Sequence, residues 1–392
     1  MSDITLLHLS DLHFKRREKD RETFLKDVKR KMMAAIKTHL AKNQNVIDFV
    51  VVTGDIAFSG KEYDKARDFF NDLKLILPAD IPFLVVPGNH DVDRGEISEY
   101  FSLHSIVQAK KTDGFLENEK ERNKNVYPKF NAFRAFVHEL NPHLYLSEGD
   151  YFWVKDFEDK HVSFLGLNTC WASENDNDRN HITLGYPQVM TALERSTISN
   201  RILLMHHPFN WLNEEDFNHY CSEIFNACGL VLHGHTHSDK ALVLRSPSDS
   251  CICLGANASY TGDKEGFIGF QFIHVSFRPE GVAVTVWPYR LDERNWKRFV
   301  PDTHRYKGQE GPFFKLESFE HSKIDETKPL PPLEIPEAYK EWVRHFHSTM
   351  DIELLAKKGE VIRVNLPEVY IPIETRNPFY KEKIEKNGMS GF

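Results

Sequence analysis

The chain has 392 residues, enough to bury a sizeable core and to divide into a main domain and something smaller. With 41% hydrophobic and 28% charged residues it reads as globular, and no stretch approaches the ~18 apolar residues of a membrane helix. A net charge of −8 argues against a surface coated in basic residues for bulk duplex binding, but leaves room for a local basic patch.

Met1-Ser2-Asp3 leads straight into the first apolar run, which leaves no room for a signal peptide. The cysteines Cys170, Cys221, Cys228, Cys251 and Cys253 form no C-x-x-C pair and read as reduced thiols. Both features give the expectation of a cytoplasmic protein with no membrane partner.

The first expected strand, Ile4 to Leu9, runs into Ser10-Asp11-Leu12-His13. A charged loop follows, with Lys15, Arg16 and Arg17 at the mouth of whatever Asp11 and His13 build. Phe24, Leu25, Val28, Met32, Ile36 and Leu40 then fall at helical spacing and predict an amphipathic helix over 22–42. The second strand, Phe49 to Val52, runs into Thr53-Gly54-Asp55, and Tyr63, Ala66, Phe69, Phe70 and Leu73 mark the next helix. The third strand, Phe83 to Val86, runs into Pro87-Gly88-Asn89-His90-Asp91. Strand–helix alternation of this kind implies parallel pairing with right-handed crossovers.

Residues 96–150 break the rhythm and read as an insertion or cap on the rim of the site, with a polar stretch from Lys110 to Asn125 and a helix-like patch at Phe130, Phe133, Phe136 and Val137. Val162 to Thr169 is a further core strand. Ile202 to Met205 runs into His206-His207-Pro208, and Leu230 to Leu232 into His233-Gly234-His235-Thr236-His237. From Ala241 to Trp287 short β-rich segments follow one another without helices, which suggests a second sheet packed on the first. The expected fold is α/β: a four-layer α/β/β/α sandwich of two mixed sheets flanked by helices.

Residues 1–318 are expected to form the main domain and the proline-rich segment 319–337 a linker. Residues 338–392 read as a small α+β extension, with a helix around Tyr339, Val343, Phe346 and Met350, a strand over Val361–Val364 and an extended run at 368–373.

Five apolar runs that all end in Asp, His or Asn describe one site, because ligands gather outside the carboxyl ends of strands in open α/β sheets. Carboxylate with imidazole suits Mn, Fe or Zn better than Ca. Asp11 and His13 stand two apart, Asp55 can bridge through its two oxygens, Asn89 adds a neutral carbonyl, and Gly234 lets the chain turn so that His235 and His237 split between ions. With His206, two Asp, one Asn and four His exceed one tetrahedral shell and match two metals with a shared bridge. His8 and His233 lie within strands and read as core or supporting residues, His207 as structural or substrate-facing, and Asn168-Thr169 as support for the site.

These motifs resemble the calcineurin-like metallophosphoesterase superfamily, whose pattern is D-x-H, G-D, G-N-H-D/E, a lone His and G-H-x-H. The resemblance covers roughly residues 1–290. It implies that Asp11, His13 and His237 hold one divalent ion, that Asn89, His206 and His235 hold a second, and that Asp55 bridges them. Manganese is the foremost expectation, with Fe, Zn or Mg as alternatives. It further implies that His90 protonates the leaving oxygen as a general acid and that Asp91 orients its imidazole.

In motif style the chain is most similar to class III cyclic nucleotide phosphodiesterases and related DNA repair nucleases. The expectation is a metal-dependent phosphodiesterase, foremost a nuclease on DNA or RNA; the alternatives are a cyclic nucleotide (cAMP/cGMP-type) phosphodiesterase or a non-catalytic scaffold. Trp171, Trp211 and Tyr260 follow strand ends and are candidates for base stacking. The tail is similar to the segment preceding an NTPase module in bacterial multidomain defence sensors. That similarity adds an expected antiviral defence role and an NTPase module or docking partner.

Overall fold

The computed structural model describes residues 2–15, 22–43, 46–145, 150–175, 177–238, 240–245, 250–260, 268–279, 281–291, 299–301, 314–319, 349–352 and 362–365. The chain divides into two compact units, Met1–Ile324 and Asp325–Phe392.

The first unit opens with β1 (Ser2–Leu9), α1 (Glu22–Lys42), β2 (Phe49–Val52), α2 (Asp64–Lys74) and β3 (Phe83–Val85), and β1, β2 and β3 pair in parallel. The α1 helix buries Leu25, Val28, Met32, Ala35, Ile36, His39 and Leu40, the stripe its period predicts. The second sheet is built from β4 (Trp153–Phe157), β5 (Val162–Gly166), β6 (Arg201–Leu204) and β7 (Leu230–His233), with β5, β6 and β7 parallel.

The segments after residue 240 do not form a sheet of their own. β8 (Ala241–Arg245) and β9 (Ser250–Gly255) extend the second sheet, in the order β4-β5-β6-β7-β9-β8. β10 (Gly269–Arg278) and β11 (Gly281–Leu291) return to the first sheet, where β10 pairs antiparallel with β1. Its order becomes β12-β11-β10-β1-β2-β3, with β12 (Phe299–Pro301) at one edge and β13 (Phe314–Phe319) also paired to β11. Burial alternates along β11, as it does in an antiparallel strand with one face open.

The two sheets pack face to face. The Phe49 ring lies 4.6 Å from Phe157 and 4.9 Å from Phe164, and Trp153 Nε1 crosses the seam to donate to the Val85 carbonyl at 2.7 Å. Helices α1 and α2 cover the first sheet, while α7 (Tyr186–Arg195) and α8 (Glu214–Ala227) belong to the second half. The expected four-layer α/β/β/α sandwich is the architecture observed.

The segment 96–150, expected as an insertion on the rim, is more helical than its sequence suggests. It holds α3 (Leu103–Gln108), α4 (Thr112–Glu117), α5 (Glu119–Asn125) and α6 (Asn131–Leu140). The polar stretch from Lys110 to Asn125 forms α4 and α5, and α5 buries none of its side chains, so no apolar period advertises it. A buried lysine ties this segment down: Lys129 Nζ donates to the carbonyls of Trp171, at 2.7 Å, and Ser173, at 3.1 Å.

In the second unit, β14 (Thr349–Ile352) pairs antiparallel with β15 (Ile362–Asn365). The strand expected at Val361–Val364 is present as β15. Met350, placed in a helix by the sequence, lies in β14. Apart from Phe319, which ends β13, the expected linker lies outside the described residues, as do residues 339–348 and 368–373.

Candidate metal centre

The ligand loops begin where the parallel strands stop. Asp11 and His13 follow β1, Asp55 follows β2, Asn89 and His90 follow β3, His206 follows β6, and His235 and His237 follow β7. Backbone pairing continues between the loops past the strand ends: Asp11 N donates to Gly54 O at 3.0 Å, His13 N to Asp55 O at 2.8 Å and Gly234 N to His206 O at 3.0 Å. Five of the seven residues sit in left-handed backbone: Asp11 (φ 52°), His13 (48°), Asp55 (54°), His235 (66°) and His237 (48°). Such conformations are costly for residues other than glycine and gather where function requires them.

Two glycines let the loops close. A methyl group on Gly88 would fall on the backbone and carboxylate of Asp55, and one on Gly234 would fall on Ser10 Oγ and Asp11. Gly234 is absent from the positive-φ glycines, so its contribution is close approach and not the tight turn expected of it.

The side chains converge into two groups with a common member. In the first, His237 Nε2 lies 3.2 Å from Asp11 Oδ1 and 3.3 Å from His13 Nε2, and His13 Nε2 lies 3.7 Å from Asp55 Oδ2. In the second, His206 Nε2 lies 3.0 Å from Asn89 Oδ1, 3.2 Å from His235 Nδ1 and 3.4 Å from Asp55 Oδ2, and His235 Nδ1 lies 3.1 Å from Asn89 Oδ1. Asp55 is the joint, but through one oxygen. Its Oδ2 faces both groups, while Oδ1 accepts from the backbone N–H of His90 at 2.8 Å. That hydrogen bond leaves Oδ2 as the oxygen common to both groups.

The donor set fits divalent cations. Around an ion with bonds of ~2.1 Å, neighbouring ligand atoms stand ~3.0–3.4 Å apart, which is the spacing of the pairs above except that of His13 with Asp55. His206 Nδ1 lies 2.7 Å from the Thr53 carbonyl, which can only accept, so Nδ1 carries a proton, and Nε2 faces Asn89 Oδ1, Asp55 Oδ2 and a ring nitrogen of His235. Asp11 Oδ1 is buried without a hydrogen bond of its own, although His237 Nε2 stands beside it.

Electrostatics point the same way. Burial works to raise the carboxyls of Asp11 and Asp55, but the surrounding imidazoles overcome it: Asp11 is lowered to about 2, and His206, His90 and His13 hold Asp55 well below the carboxylate range. Burial would lower His206, yet Asp55 and Asp11 raise it to about 9. Two buried carboxylates demand positive charge at this point, which a proton on His206 or a metal ion supplies.

His90 stands at the edge of the first group, with its ring centroid 4.7 Å from that of His13. It is oriented by the Phe58 carbonyl, 3.0 Å from Nδ1. Asp91, expected to orient this imidazole, does not touch it among the described contacts. The chain turns after His90 and buries Asp91, whose carboxylate accepts from the N–H groups of Ile56, Ala57 and Gly88 and from the Tyr63 hydroxyl. It fastens the second ligand loop to the third.

His8 is a buried support, bonded to Thr53 Oγ1 and Gln271, and His233 is buried against the Gly234 carbonyl. His207 carries more interest than its sequence context suggested. Thr169 Oγ1 holds its Nδ1 at 2.9 Å, its Nε2 is buried without a partner, and it belongs to a possible ligand group with His206 and His235. Its position directly after His206 is the only sequence signal for it.

Of the three aromatic candidates, Trp211 alone meets the centre, with its ring 4.0 Å from His235. Trp171 is buried, with Nε1 donating to Thr183 O, and Tyr260 packs between Phe14 and Phe69; both are core residues. Lys15 lies beside Phe58, while Arg16 and Arg17 fall outside the described residues.

The sequence profile of the calcineurin-like phosphoesterase family matches residues 4–239, more than half of the chain. A metallophosphoesterase-like protein of Bacillus subtilis, YydB, is 19% identical over 311 residues, a match that covers 75% of this chain. The chain spans about three fifths (61%) of the length of that curated relative. Among solved structures, GAP50, the anchor in the inner membrane complex of Plasmodium, matches with 14% identity and a TM-score of 0.36, covering 73% of this chain and 85% of that one. A 5'-nucleotidase from Candida albicans matches with 14% identity and a TM-score of 0.36, covering 76% and 53%.

Proposed function

This chain belongs to the calcineurin-like phosphoesterase family, and from that premise we propose that it is a phosphodiesterase dependent on two divalent metal ions, acting on nucleic acid. Family membership implies a phosphoester hydrolase with a metal centre. The observation that carries the finer reading is the pair of ligand groups sharing Asp55 Oδ2.

Asp11, His13 and His237 would hold one ion, Asn89, His206 and His235 the other, and Asp55 would belong to both. When bound, the ions supply Lewis-acid charge at the phosphoryl oxygens and activate water as a nucleophile near neutral pH. Thr53 fixes His206 in the tautomer a ligand needs, and the His90 N–H fixes Asp55 so that one oxygen is left for the joint. His90 Nδ1 donates to the Phe58 carbonyl, so the acid would be the doubly protonated ring, whose Nε2–H passes its proton to the departing oxygen. In the reaction the water oxygen bonds to phosphorus. The ester P–O bond breaks with its electron pair on the leaving oxygen, which takes the proton from His90 Nε2. The proton shed by water restores that nitrogen.

A nucleic-acid substrate is supported by Lys15 at the mouth and by Trp211 beside the second group, which together offer a cation for phosphate and a ring for a base. Manganese suits the mixed carboxylate, amide and imidazole set. The effector role in a defence system and the NTPase partner rest on the tail sequence alone.

The test is protein loaded with Mn²⁺ and incubated with single-stranded DNA, duplex DNA, RNA, cyclic AMP and bis(p-nitrophenyl) phosphate. Cleavage of polymer but not cyclic AMP is expected, and the reverse pattern would make the chain a cyclic nucleotide phosphodiesterase. Asp55→Ala and His206→Ala should each abolish turnover. Full activity with normal metal dependence in either would sink the assignment.

A further inference from the structure

Phe58 is 42% exposed at the edge of the centre, an uncommon place for a phenyl ring that has an apolar core close behind it. It touches His90 and Lys15, the two groups that the proposed reaction sets against the phosphate. Its ring is stacked with His90 at a centroid distance of 5.0 Å and an interplanar angle of 29°. Its carbonyl accepts from His90 Nδ1 at 3.0 Å. The Lys15 ammonium sits 3.7 Å from the centre of the same ring, a cation–π contact. The ring also meets His13 edge-on at 6.4 Å.

An imidazole held by one hydrogen bond can still swing about it. Here the His90 backbone N–H is tied to Asp55, Nδ1 to a carbonyl, and the ring plane to a phenyl face, so the direction of Nε2 is determined. Among the described contacts Asp91 does not reach the ring, because its carboxylate is turned into the protein.

We propose that Phe58 is the positioning residue of the leaving-group side: one side chain, with its own carbonyl, aims His90 at the departing oxygen and holds the Lys15 ammonium next to it for the same phosphate. The inference rests on the reading of His90 as proton donor to the leaving group. Its chemistry is that of the hydrolysis already written: P–O cleavage, with one proton passing from Nε2 to the leaving oxygen.

The test compares Phe58→Ala, Phe58→Leu and Phe58→Tyr on two diesters of thymidine 5'-phosphate, one releasing p-nitrophenolate and one releasing methanol. An oriented acid matters more for the poorer leaving group, and general acid catalysis is worth roughly 10²–10⁴-fold when intact. Loss of the ring in Phe58→Ala or Phe58→Leu should cost about tenfold more kcat with the methyl ester than with the p-nitrophenyl ester. Phe58→Tyr should rescue most of that difference, and the metal content should stay at the wild-type value. An equal loss on both esters, or a loss of metal, would overturn the proposal in favour of a packing role.

A second readout does not depend on turnover. In protein labelled at histidine, the His90 Nδ1–H proton should exchange with solvent at least tenfold faster in Phe58→Ala than in wild type. Unchanged exchange would reject the positioning role. His90→Ala separates the two readings: should it slow both esters equally, His90 is not the proton donor and the earlier assignment fails, whatever Phe58 does to the ring.

Discussion

At the scale of single residues, His90 and Asp91 are neighbours with different work. His90 faces the centre; Asp91 is buried and satisfies three N–H groups and a hydroxyl. Asp91→Ala would leave those donors unpaired in the interior at about 1–3 kcal/mol each, so a stability loss of at least ~3 kcal/mol is expected in denaturant unfolding. His90→Ala should unfold like wild type, keep its metal and lose turnover. The clustered Asp, Asn and His side chains were legible because each ends an apolar run. The inward turn of Asp91 was not, since two of its three N–H donors belong to a loop more than thirty positions away. Trp171 and Tyr260 were undecided for a related reason: an aromatic after a strand end has the same sequence signature whether it lines a cleft or fills the core.

Elements were legible where they carry a period. The α1 and α2 helices each present an apolar stripe, while α5 has none and is held by its neighbours. The packing of α1 gives a pH signature away from the centre. Its His39 is stacked on Phe272 at 3.7 Å and bonded to the Tyr289 hydroxyl, and burial lowers it to about 4. An unfolded histidine titrates near 6.5. Between about pH 6.5 and 4 the unfolded chain therefore binds more protons than the fold, so stability is whole above this window and falls as pH drops through it. His39→Phe should lose less stability between pH 7 and pH 4.5 than wild type, measured as the shift in the denaturant midpoint.

At the scale of the molecule, the centre spans the seam between the sheets, with Asp11, His13, Asp55 and Asn89 from one and His206, His235 and His237 from the other. An ion held from both sides clasps the halves. Chelating the metal should lower the melting temperature of wild type by several degrees, since a site filled at 100 times its Kd contributes about 2.7 kcal/mol. Asp55→Ala should not respond, and an equal response in that variant would argue against clasping. That the chain makes two sheets was legible. Which strands join which was not, because β10 pairs with a partner about 270 positions upstream and local sequence holds no trace of it.

That late pairing has a consequence for synthesis. Until residue 278 has left the ribosome, β1 lacks its antiparallel neighbour and one of its edges has free N–H and C=O groups. At ~5–20 residues per second the nascent chain passes roughly 14–55 s in that condition. Fragments stopped short of β10 should aggregate or be captured by chaperones, while fragments that run past β11 should emerge soluble, a contrast that sedimentation of arrested chains would reveal.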